Sequence, residues 1–355
     1  MARIAYFYRE MSEYIEIDLR RLAERHVVSV VGTPSRWPRP LATWREVSSV
    51  DVVMSWFASW HSLAPAVCAK LQRKPFIVTV GGYDTACLPD IGYGHQRGGV
   101  RRWIARLVMR LATRIVSISE ATTREVAEAY PRLSSITQIP LGLAPGRYAS
   151  SETREAGLVV TTGGVNHNNL KRKGLEAFVR AAAHAPECRF VVIGAWMDDA
   201  IELLRAVATP NVHFTGRITH EDKVAWLSRA EVVVQASQHE AFGLSLAEGM
   251  LCGATPVVTR AGALPWVAGG TGVIIERQAP SPLAAGIRTA RALGASAGQL
   301  ARTRVLECFT EDRRAAALHE LVELALSTAS PGTSAPVPGA DPATNDTPAS
   351  QARAA

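Results

Sequence analysis

The feature that most constrains the fold of this chain is a regular alternation of short apolar, β-branched runs with amphipathic stretches. This alternation is typical of a parallel β-sheet whose connecting helices cover both faces. The pattern runs through the first half of the chain and then restarts in the second half. The candidate strands are Ile4–Tyr8, Val27–Val31, Val50–Ser55, Phe76–Val80, Ile115–Ile118, Ile136–Ile139, Leu158–Thr162, Arg189–Ile193, Val212–Phe214, Val232–Ala236, Pro256–Thr259 and Val273–Ile275. The sequence therefore predicts an α/β protein with two doubly wound units.

The junction between the two units is marked by the glycines and the proline of Leu141–Gly146. A length of 355 residues is enough for two domains that each bury a core. Beyond Thr328, Val337 is the only bulky apolar residue, so little burial could offset the entropy of ordering this segment. We predict domains over 1–148 and 149–310, a helix over 311–327 that crosses back to the first domain, and a disordered tail over 328–355.

Composition restricts the class of protein. The five cysteines are spaced singly, without a C-x-x-C pair, which favours a reducing cytoplasm. No apolar run approaches the roughly 18 residues that span a bilayer. The N-terminus carries Arg3, Arg9 and Glu10 where a secretory signal needs an apolar core. We therefore expect a cytoplasmic protein that does not cross the membrane.

Positive charge is concentrated in the first half of the chain. Residues 1–150 hold 20 basic and 12 acidic side chains, a balance of +8, whereas the remainder holds 19 and 20, a balance of −1. This bias predicts an anionic partner, which could be a phosphorylated substrate, an acidic membrane surface or nucleic acid.

One predicted helix carries much of this charge. Arg102, Arg106, Arg110 and Arg114 recur every four residues, and apolar side chains occupy another face of the same segment. The stripe could contact anionic lipid at the inner membrane face, or the helix could simply pack on the sheet and show its arginines to water. No recognised nucleic-acid module surrounds it, so we expect no nucleic-acid partner.

The most informative segment is Val232–Val258. A buried-type strand ends at Ala236, a polar loop follows, and a helix is predicted from about Gly243 to Cys252–Gly253. Ligands of open α/β sheets bind at the carboxyl ends of strands, and a helix N-terminus attracts phosphate. Glu240 lies before this helix and Glu248 lies within it.

The E-x7-E pattern of Glu240 and Glu248, with its internal A-F-G-L, resembles the donor site of the family 4 retaining glycosyltransferases of the GT-B type. The resemblance extends to further segments in both halves of the chain. They are Arg172–Gly174, Phe214–Arg217, Gly253–Val258 and, more loosely, Thr79–Asp84, Ile91–Gly94 and Val116–Glu120. It implies two Rossmann-like domains that face each other across a cleft. It also implies transfer of a sugar from a nucleotide-diphosphate sugar to a glycan, lipid-linked or small-molecule acceptor, with retained anomeric configuration.

The resemblance also implies roles for individual residues. Glu240 would bind the donor sugar, Glu248 the ribose hydroxyls and Lys173 the diphosphate. The remaining donor-binding residues would be Gly164, Arg172, Arg217, Ile218, Phe242, Gly243, Leu244 and Ser245. Since a fixed ammonium and a helix dipole can stabilise the departing diphosphate, no metal or other cofactor is expected. The absence of a D-x-D pair agrees with that expectation.

The chain departs from the family pattern at three places, one of which is Arg9–Ser12, where many members have a glycine-rich loop. The loop Gly163–Arg172 lacks the arginine that many members use for the diphosphate, and Arg172, Lys171 or His167 could replace it. The usual acceptor-side histidine is also missing. Asp84 is the first candidate to replace it as a catalytic group, although an aspartate after two glycines is also typical of a turn. Gly82, Tyr83, Arg9 and His61 complete the acceptor-side candidates, with a packing role as the alternative for His61.

Three other functions were compared with transfer. Gly243–Ala247 resembles a hydrolase nucleophile elbow, but its fifth residue is alanine and no histidine partner can be assigned, so we reject this alternative. A non-catalytic module that binds a nucleotide-sugar and a nucleotide-sugar epimerase both remain open.

Overall fold

The computed structural model describes residues 1–32, 39–130, 135–151 and 153–329. These residues form twelve β-strands and fourteen α-helices. The strands are Arg3–Tyr8 (β1), Val27–Gly32 (β2), Val52–Trp56 (β3), Phe76–Val80 (β4), Arg114–Ser117 (β5), Ile136–Gln138 (β6), Leu158–Thr162 (β7), Arg189–Ile193 (β8), Val212–Gly216 (β9), Val232–Gln235 (β10), Thr255–Thr259 (β11) and Val273–Ile275 (β12). The helices are Glu13–Leu22 (α1), Pro40–Ser48 (α2), Trp60–Leu71 (α3), Gly99–Leu111 (α4), Glu120–Ala129 (α5), His167–Arg172 (α6), Leu175–Ala181 (α7), Ala200–Val207 (α8), His220–Arg229 (α9), Leu244–Leu251 (α10), Leu264–Ala268 (α11), Pro280–Ala292 (α12), Gly294–Cys308 (α13) and Glu311–Ala329 (α14).

The strands assemble into two parallel sheets of six. The first sheet has the order β2-β1-β3-β4-β5-β6 and the second β12-β11-β10-β7-β8-β9. Strands such as β3, β4 and β11 are buried along their whole length because helices cover both faces. The predicted α/β class and all twelve predicted strands are confirmed.

The strand order explains where a ligand can bind. In the second sheet the chain runs outward from β7 through β8 to β9, and β10 then returns to the other side of β7. Loops diverge at such a switch point, and a crevice opens outside the carboxyl ends of the strands. The first sheet has an equivalent point between β1 and β3.

The last helix, α14, returns to the first half of the molecule. Arg314, which is 3% exposed, donates from Nη2 to Oδ2 of Asp18 in α1 over 2.7 Å. Its Nη1 also donates to the carbonyls of Ile139 and Pro140. Asp18 accepts further bonds from Tyr6 and Trp56. A buried ion pair needs such complete hydrogen bonding, because each unsatisfied group would carry a desolvation cost.

Three local predictions need correction. Part of the predicted loop 163–172 is helix α6, which begins after Asn166 because the Asn166 side chain accepts from the Asn169 amide. Arg114 belongs to β5, since α4 ends at Leu111, so the predicted arginine stripe has three helical members. Helix α14 extends to Ala329, and the rest of the predicted tail, 330–355, lies outside the described residues.

Candidate active site

A cleft of about 370 Å³ opens at the carboxyl edge of the second sheet, and we call it the second-half cleft. The ends of β7, β8 and β9 and the start of α10 contribute its walls. Five of the predicted donor-binding or catalytic residues meet there: Gly164, Lys173, Arg217, Ile218 and Ser245. Residues from four separate segments of the sequence therefore converge on one cavity.

The floor of the second-half cleft is backbone. A Cβ atom at Gly194 would lie 2.2 Å from the carbonyl oxygen of Gly163, so the loops after β7 and β8 could not approach this closely with side chains. Gly163 also lies against the stem of Lys173, whose Cδ would be 3.0 Å from a Cβ at that position. The close packing directs the lysine along the edge of the cleft.

Three cations line the second-half cleft: Lys173, Arg217 and Lys223. Lys173 is the C-cap residue that follows α6, and Gly174, with a φ of 72°, is the N-cap residue that precedes α7. Within the described part of the chain, the side chains of Lys173 and Arg217 have no hydrogen-bond or ion-pair partner. Fixed positive charges without a protein partner are suited to an anionic ligand.

The N-terminus of α10 faces the same space. Gly243, with a φ of 99°, turns the chain into the helix, and none of the side chains that the structure describes caps it. The first amides of a helix have no partner within the helix, and together with the helix dipole they favour an anion. Ser245, in the first turn of α10, lines the second-half cleft.

Glu248 lies one turn further along α10 and is 3% exposed. Its Oε1 accepts from the Tyr148 hydroxyl over 2.9 Å and from the Lys223 ammonium over 2.7 Å. Burial and the adjacent carboxylate raise the pKa of Tyr148 well above its usual range. Glu248 therefore reaches the wall of the cleft through Lys223.

Glu240 lies in the loop before α10 and is partly buried. Its Oε2 accepts from the Ser237 hydroxyl over 3.2 Å and from the Gln235 amide over 3.3 Å. The pKa of Tyr93, in the first half, is raised to about 12. Burial of Tyr93 is the main cause, and the negative charge of Glu240 adds to it. Glu240 thus lies on the side of the second half that faces Tyr93.

Phe242, between these two glutamates in the sequence, is a core residue. Its ring packs edge-on against Phe309 at 5.3 Å and Trp266 at 6.2 Å. Leu244 packs against the same core. The Phe242 side chain is therefore buried, and its backbone is the part available to a ligand.

The three side chains expected to replace the missing arginine do not line the second-half cleft. Arg172 stacks on the ring of Tyr93, with its guanidinium carbon 5.0 Å from the ring centroid. Lys171 is exposed, and His167 hydrogen-bonds Asp199 over 2.7 Å. The additional cation is Lys223, which no motif in the sequence indicated.

His167 also belongs to a group that could hold a metal ion. Within the described ranges, His167, Asp198 and Asp199 are the one cluster of such ligands whose atoms come within 4.8 Å of one another. All three residues are exposed, and His167 is already paired with Asp199.

Asp84 makes the contacts of the turn residue that was the alternative to a catalytic group. It is fully buried, and its two oxygens accept three backbone N–H bonds, from Gly81, Gly82 and Ala58. Burial raises the pKa of Asp84 to about 6, and the backbone bonds oppose this change. Because each oxygen is engaged, Asp84 fixes the turn after β4 and joins it to the turn after β3.

His61 is also a packing residue. Its Nε2 lies 2.6 Å from the carbonyl oxygen of Trp56, which fixes this nitrogen as the donor, and burial lowers the pKa of His61 to about 4. Of the other acceptor-side candidates, Tyr83 packs between the rings of Tyr93 and His95. Arg9 is exposed and has Glu10 3.6 Å away.

A second cationic surface lies on the first half, and we call it the basic groove. It has a volume of about 360 Å³ and is lined by Gly98, Gly99, Arg102, Trp103, Arg106 and Arg110. The Nε atoms of Arg102 and Arg106 are buried without a hydrogen-bond partner in the described chain. Trp103 is 73% exposed beside these arginines.

Comparison with known families gives two matches. A profile described as glycosyl transferase 4-like domain matches residues 9–142, and one described as glycosyl transferases group 1 matches residues 156–291. Together the two profiles cover both halves of the chain and most of the described residues.

Two curated proteins illustrate the sequence similarity. A phosphatidyl-myo-inositol mannosyltransferase of Propionibacterium freudenreichii is 29% identical over 61% of this chain and 53% of its own length. A 2-deoxystreptamine glucosyltransferase of Streptomyces kanamyceticus is 27% identical over 64% of this chain and 61% of its own length. The chain therefore spans between half and two thirds of the curated relatives that it matches.

Solved structures share the fold at lower identity. Anabaena HepE, in complex with UDP, has a TM-score of 0.76 at 16% identity and covers 91% of this chain and 100% of its own. Sucrose-phosphate synthase of Thermosynechococcus elongatus has a TM-score of 0.73 at 16% identity, over 92% of this chain and 100% of its own. The two sheets with their flanking helices are those of the GT-B fold, as the sequence predicted.

Two further observations concern cellular context. Among the described residues, no helix combines the length and the apolar character that crossing a bilayer requires. The five cysteines are free, and Cys87 alone among them is exposed.

Proposed function

Because this chain belongs to the family 4 glycosyltransferases of the GT-B type, we propose that it transfers a sugar from a nucleotide-diphosphate sugar to an acceptor bound by the first half. One observation carries the proposal. Among the described residues, the side chains of Lys173 and Arg217 have no partner, and they line the same cleft as Ser245 in the first turn of a helix that no described side chain caps. A diphosphate is the ligand whose charge and size suit that combination.

The residues of the second-half cleft support one arrangement of the donor. The diphosphate lies between the Lys173 ammonium and the first amides of α10, and the hydroxyl of Ser245 can donate to the same group. Arg217 and Ile218 lie at the nucleoside end. Glu240 binds sugar hydroxyls on the side that faces the first half. Glu248 reaches the ribose hydroxyls with its second oxygen, while Tyr148 and Lys223 hold the first.

The proposed transfer retains the anomeric configuration. The bond between the anomeric carbon and the diphosphate oxygen breaks, and the acceptor oxygen forms its bond on the same face of the sugar. The acceptor proton passes to the departing diphosphate oxygen, so the protein need not supply a base. Lys173 and the α10 dipole stabilise the negative charge that develops on the leaving group, which is the largest electrostatic contribution expected here.

We propose that this reaction needs no metal ion or other cofactor. Three cationic side chains and a helix N-terminus at one cleft can supply the positive charge that a divalent ion would otherwise contribute. Equal transfer rates with added EDTA and with added Mg²⁺ are expected, and a rate that collapses in EDTA would contradict this part of the proposal.

We also propose that the first half contacts an anionic membrane. The protein would then act at the cytoplasmic side of that membrane. Val100, Trp103 and Leu107 are 61%, 73% and 41% exposed on α4, between the arginines of the basic groove. An exposed apolar ridge flanked by arginines is suited to lipid headgroups and the outer acyl region. A lipid-linked acceptor would make such contact useful, and the name of the Propionibacterium relative specifies a lipid acceptor for that protein.

Vesicle sedimentation tests the membrane contact. Wild-type protein should sediment with vesicles that contain anionic lipid and not with purely zwitterionic vesicles, and binding should weaken in 0.5 M salt, a condition in which the Debye length is short. Trp103→Ala and Arg110→Glu should each reduce binding, whereas Arg180→Glu, on an exposed face of α7, should not. Equal binding of all variants would contradict the contact.

A panel of nucleotide-sugars tests the donor. A ligand present at 100 times its Kd stabilises the folded protein by about 2.7 kcal/mol, which a thermal shift detects. We expect one nucleotide-sugar to stabilise the protein and to be hydrolysed slowly without acceptor. Binding with neither hydrolysis nor transfer would instead identify a binding module, and an isomerised donor would identify an epimerase. No stabilisation by any member of the panel would contradict the proposal.

A further inference from the structure

A partly buried polar contact joins the two halves beside Glu240. Nε2 of His239 lies 2.6 Å from Oε1 of Glu125, which projects from α5 of the first half. The side chains of His239 and Glu125 are 10% and 21% exposed. The second oxygen of Glu125 accepts from the Thr85 hydroxyl, so the first half holds one carboxylate oxygen and the second half holds the other.

The two halves also pack closely next to this contact, where the loop after β4 meets the loop before α10. Gly82, in the loop after β4, has a φ of 99°. A Cβ atom there would lie 2.3 Å from Cβ of Ala241 and 3.7 Å from Cε1 of His239. The first half therefore touches the residue on each side of Glu240.

The His239 ring has a single polar partner among the described residues. Its Nδ1 is buried without a hydrogen-bond partner, and the ring of Tyr93 lies 5.8 Å away between centroids. Removing Glu125 would therefore leave the imidazole without any polar contact that fixes its orientation.

We propose that the Glu125–His239 contact positions Glu240 relative to the acceptor-binding half, so that both residues are positioning residues for transfer. The inference rests on the role proposed for Glu240 in donor binding. The contact sets where the loop 239–241 lies when the cleft between the halves is occupied. A shift of about 1 Å in a reacting group can reduce a rate 100-fold, so a single contact beside Glu240 can control turnover.

The contact is separate from the anion-binding residues. Lys173, Arg217 and Lys223 line the second-half cleft and do not contact Glu125 or His239. The Glu240 carboxylate is held by Ser237 and Gln235 of its own half. Loss of Glu125 should therefore reduce kcat while nucleotide binding is maintained.

Paired variants test the positioning role. Glu125→Ala and His239→Ala should each reduce kcat by about 10- to 100-fold and change the Kd for UDP or GDP by less than about twofold. The double variant should be no slower than the slower single variant, because both remove the same contact. Glu125→Gln keeps an acceptor oxygen and should recover most of the rate. The control is Glu128→Ala, an exposed position one turn along α5 that should leave kcat unchanged.

Additive losses in the double variant would overturn the inference, as would a rise in Kd that parallels the fall in kcat. Hydrogen exchange of the free proteins separates this result from the proposed function. Amides of 82–86 and 239–243 should exchange faster in both single variants, with or without a ligand. Unchanged exchange there would overturn the positioning role. Failure of the wild-type protein to bind any nucleoside diphosphate would overturn the proposed function alone.

Discussion

The two halves share one architecture and use the carboxyl edge of the sheet differently. In the second half, Lys173 and Arg217 reach the edge without a protein partner in the described chain. In the first half, Asp84 and His61 reach the equivalent edge, but backbone groups take up their hydrogen bonds. The same topology therefore leaves one edge open to an anion and closes the other with its own loops.

The net charge of each half would place the anion at the sheet edge of the first half, because that half is the more basic one. The second half carries a net charge of −1 by sequence and yet contains the second-half cleft with its three cations. The first half carries a net charge of +8 by sequence, and three of its arginines line the basic groove. Local placement of a few fixed cations determines where an anion binds, and the total charge of a domain does not.

Substitution of Lys173 should have the largest effect, and it tests whether the carboxyl edge of the second sheet binds the anion. Lys173→Ala should reduce kcat of transfer by about 10² to 10³, because it removes a charge that stabilises the leaving group in a preformed site. Thermal unfolding should be unchanged, since the ammonium has no partner to lose among the residues that the structure describes. Lys171→Ala removes an exposed lysine two residues earlier in the chain and is the matched control. Equal rates in the two variants would show that the second-half cleft is not the donor site.

Substitution of Asp84 tests whether this residue stabilises the loops at the carboxyl edge of the first sheet. Asp84→Ala leaves three buried N–H groups without their acceptor and should lower the free energy of unfolding by about 3 kcal/mol. Asp90→Ala, at an exposed site six residues away, should change it by less than about 0.5 kcal/mol. Urea unfolding measures both. Full stability with abolished transfer would instead make Asp84 catalytic and would erase the contrast between the halves.

His61 gives the first half a pH dependence. Its pKa is lowered from 6.5 to about 4 in the folded protein, chiefly by burial, so the folded state favours the neutral ring. The stabilisation is present above pH 6.5 and is lost as the pH falls from 6.5 toward 4. Between pH 7.5 and 5.0 this residue should account for about 2 kcal/mol of lost stability.

Urea unfolding of His61→Asn at both pH values checks this expectation. The variant should lose about 2 kcal/mol less than the wild-type protein over the same interval. The same pH dependence in both proteins would mean that His61 is not held neutral, and its assignment as a packing residue would fail.

The smallest expected effect is that of Arg217 at the rim of the second-half cleft. Its side chain is exposed, so solvent screens its charge, and Arg217→Ala should weaken binding of a nucleoside diphosphate by only about 3- to 10-fold. The loss should shrink in high salt. Titration calorimetry compares it with Arg205→Ala, which lies outside the cleft. A loss as large as that of Lys173→Ala would place the diphosphate nearer to Arg217 than we propose.

The parts of the fold that depend on local pattern could be predicted from sequence. Strands such as β7 and β8 were predicted with their observed bounds because strands buried on both faces read as continuous β-branched runs. Helix α10 was predicted because Gly243 and Gly253 mark its two ends. Helix α6 was missed because its six residues begin with polar side chains that are equally typical of a loop.

The parts of the site that depend on packing could not be predicted from local pattern. Lys223 meets Glu248 because α9 lies beside α10, and no motif records that contact. Asp84 takes a structural role because the Ala58 amide, from a different loop, reaches its carboxylate. His239 follows a polar loop in the sequence, and only the approach of α5 makes it a partner of Glu125.

The central claim is that a diphosphate binds between Lys173 and the first turn of α10. A crystal structure with bound UDP or GDP tests it most directly. We expect a diphosphate oxygen within hydrogen-bond distance of the Lys173 ammonium and another facing the amides that follow Gly243. Density for the diphosphate in the basic groove beside Arg102 and Arg106, with the second-half cleft empty, would contradict the account.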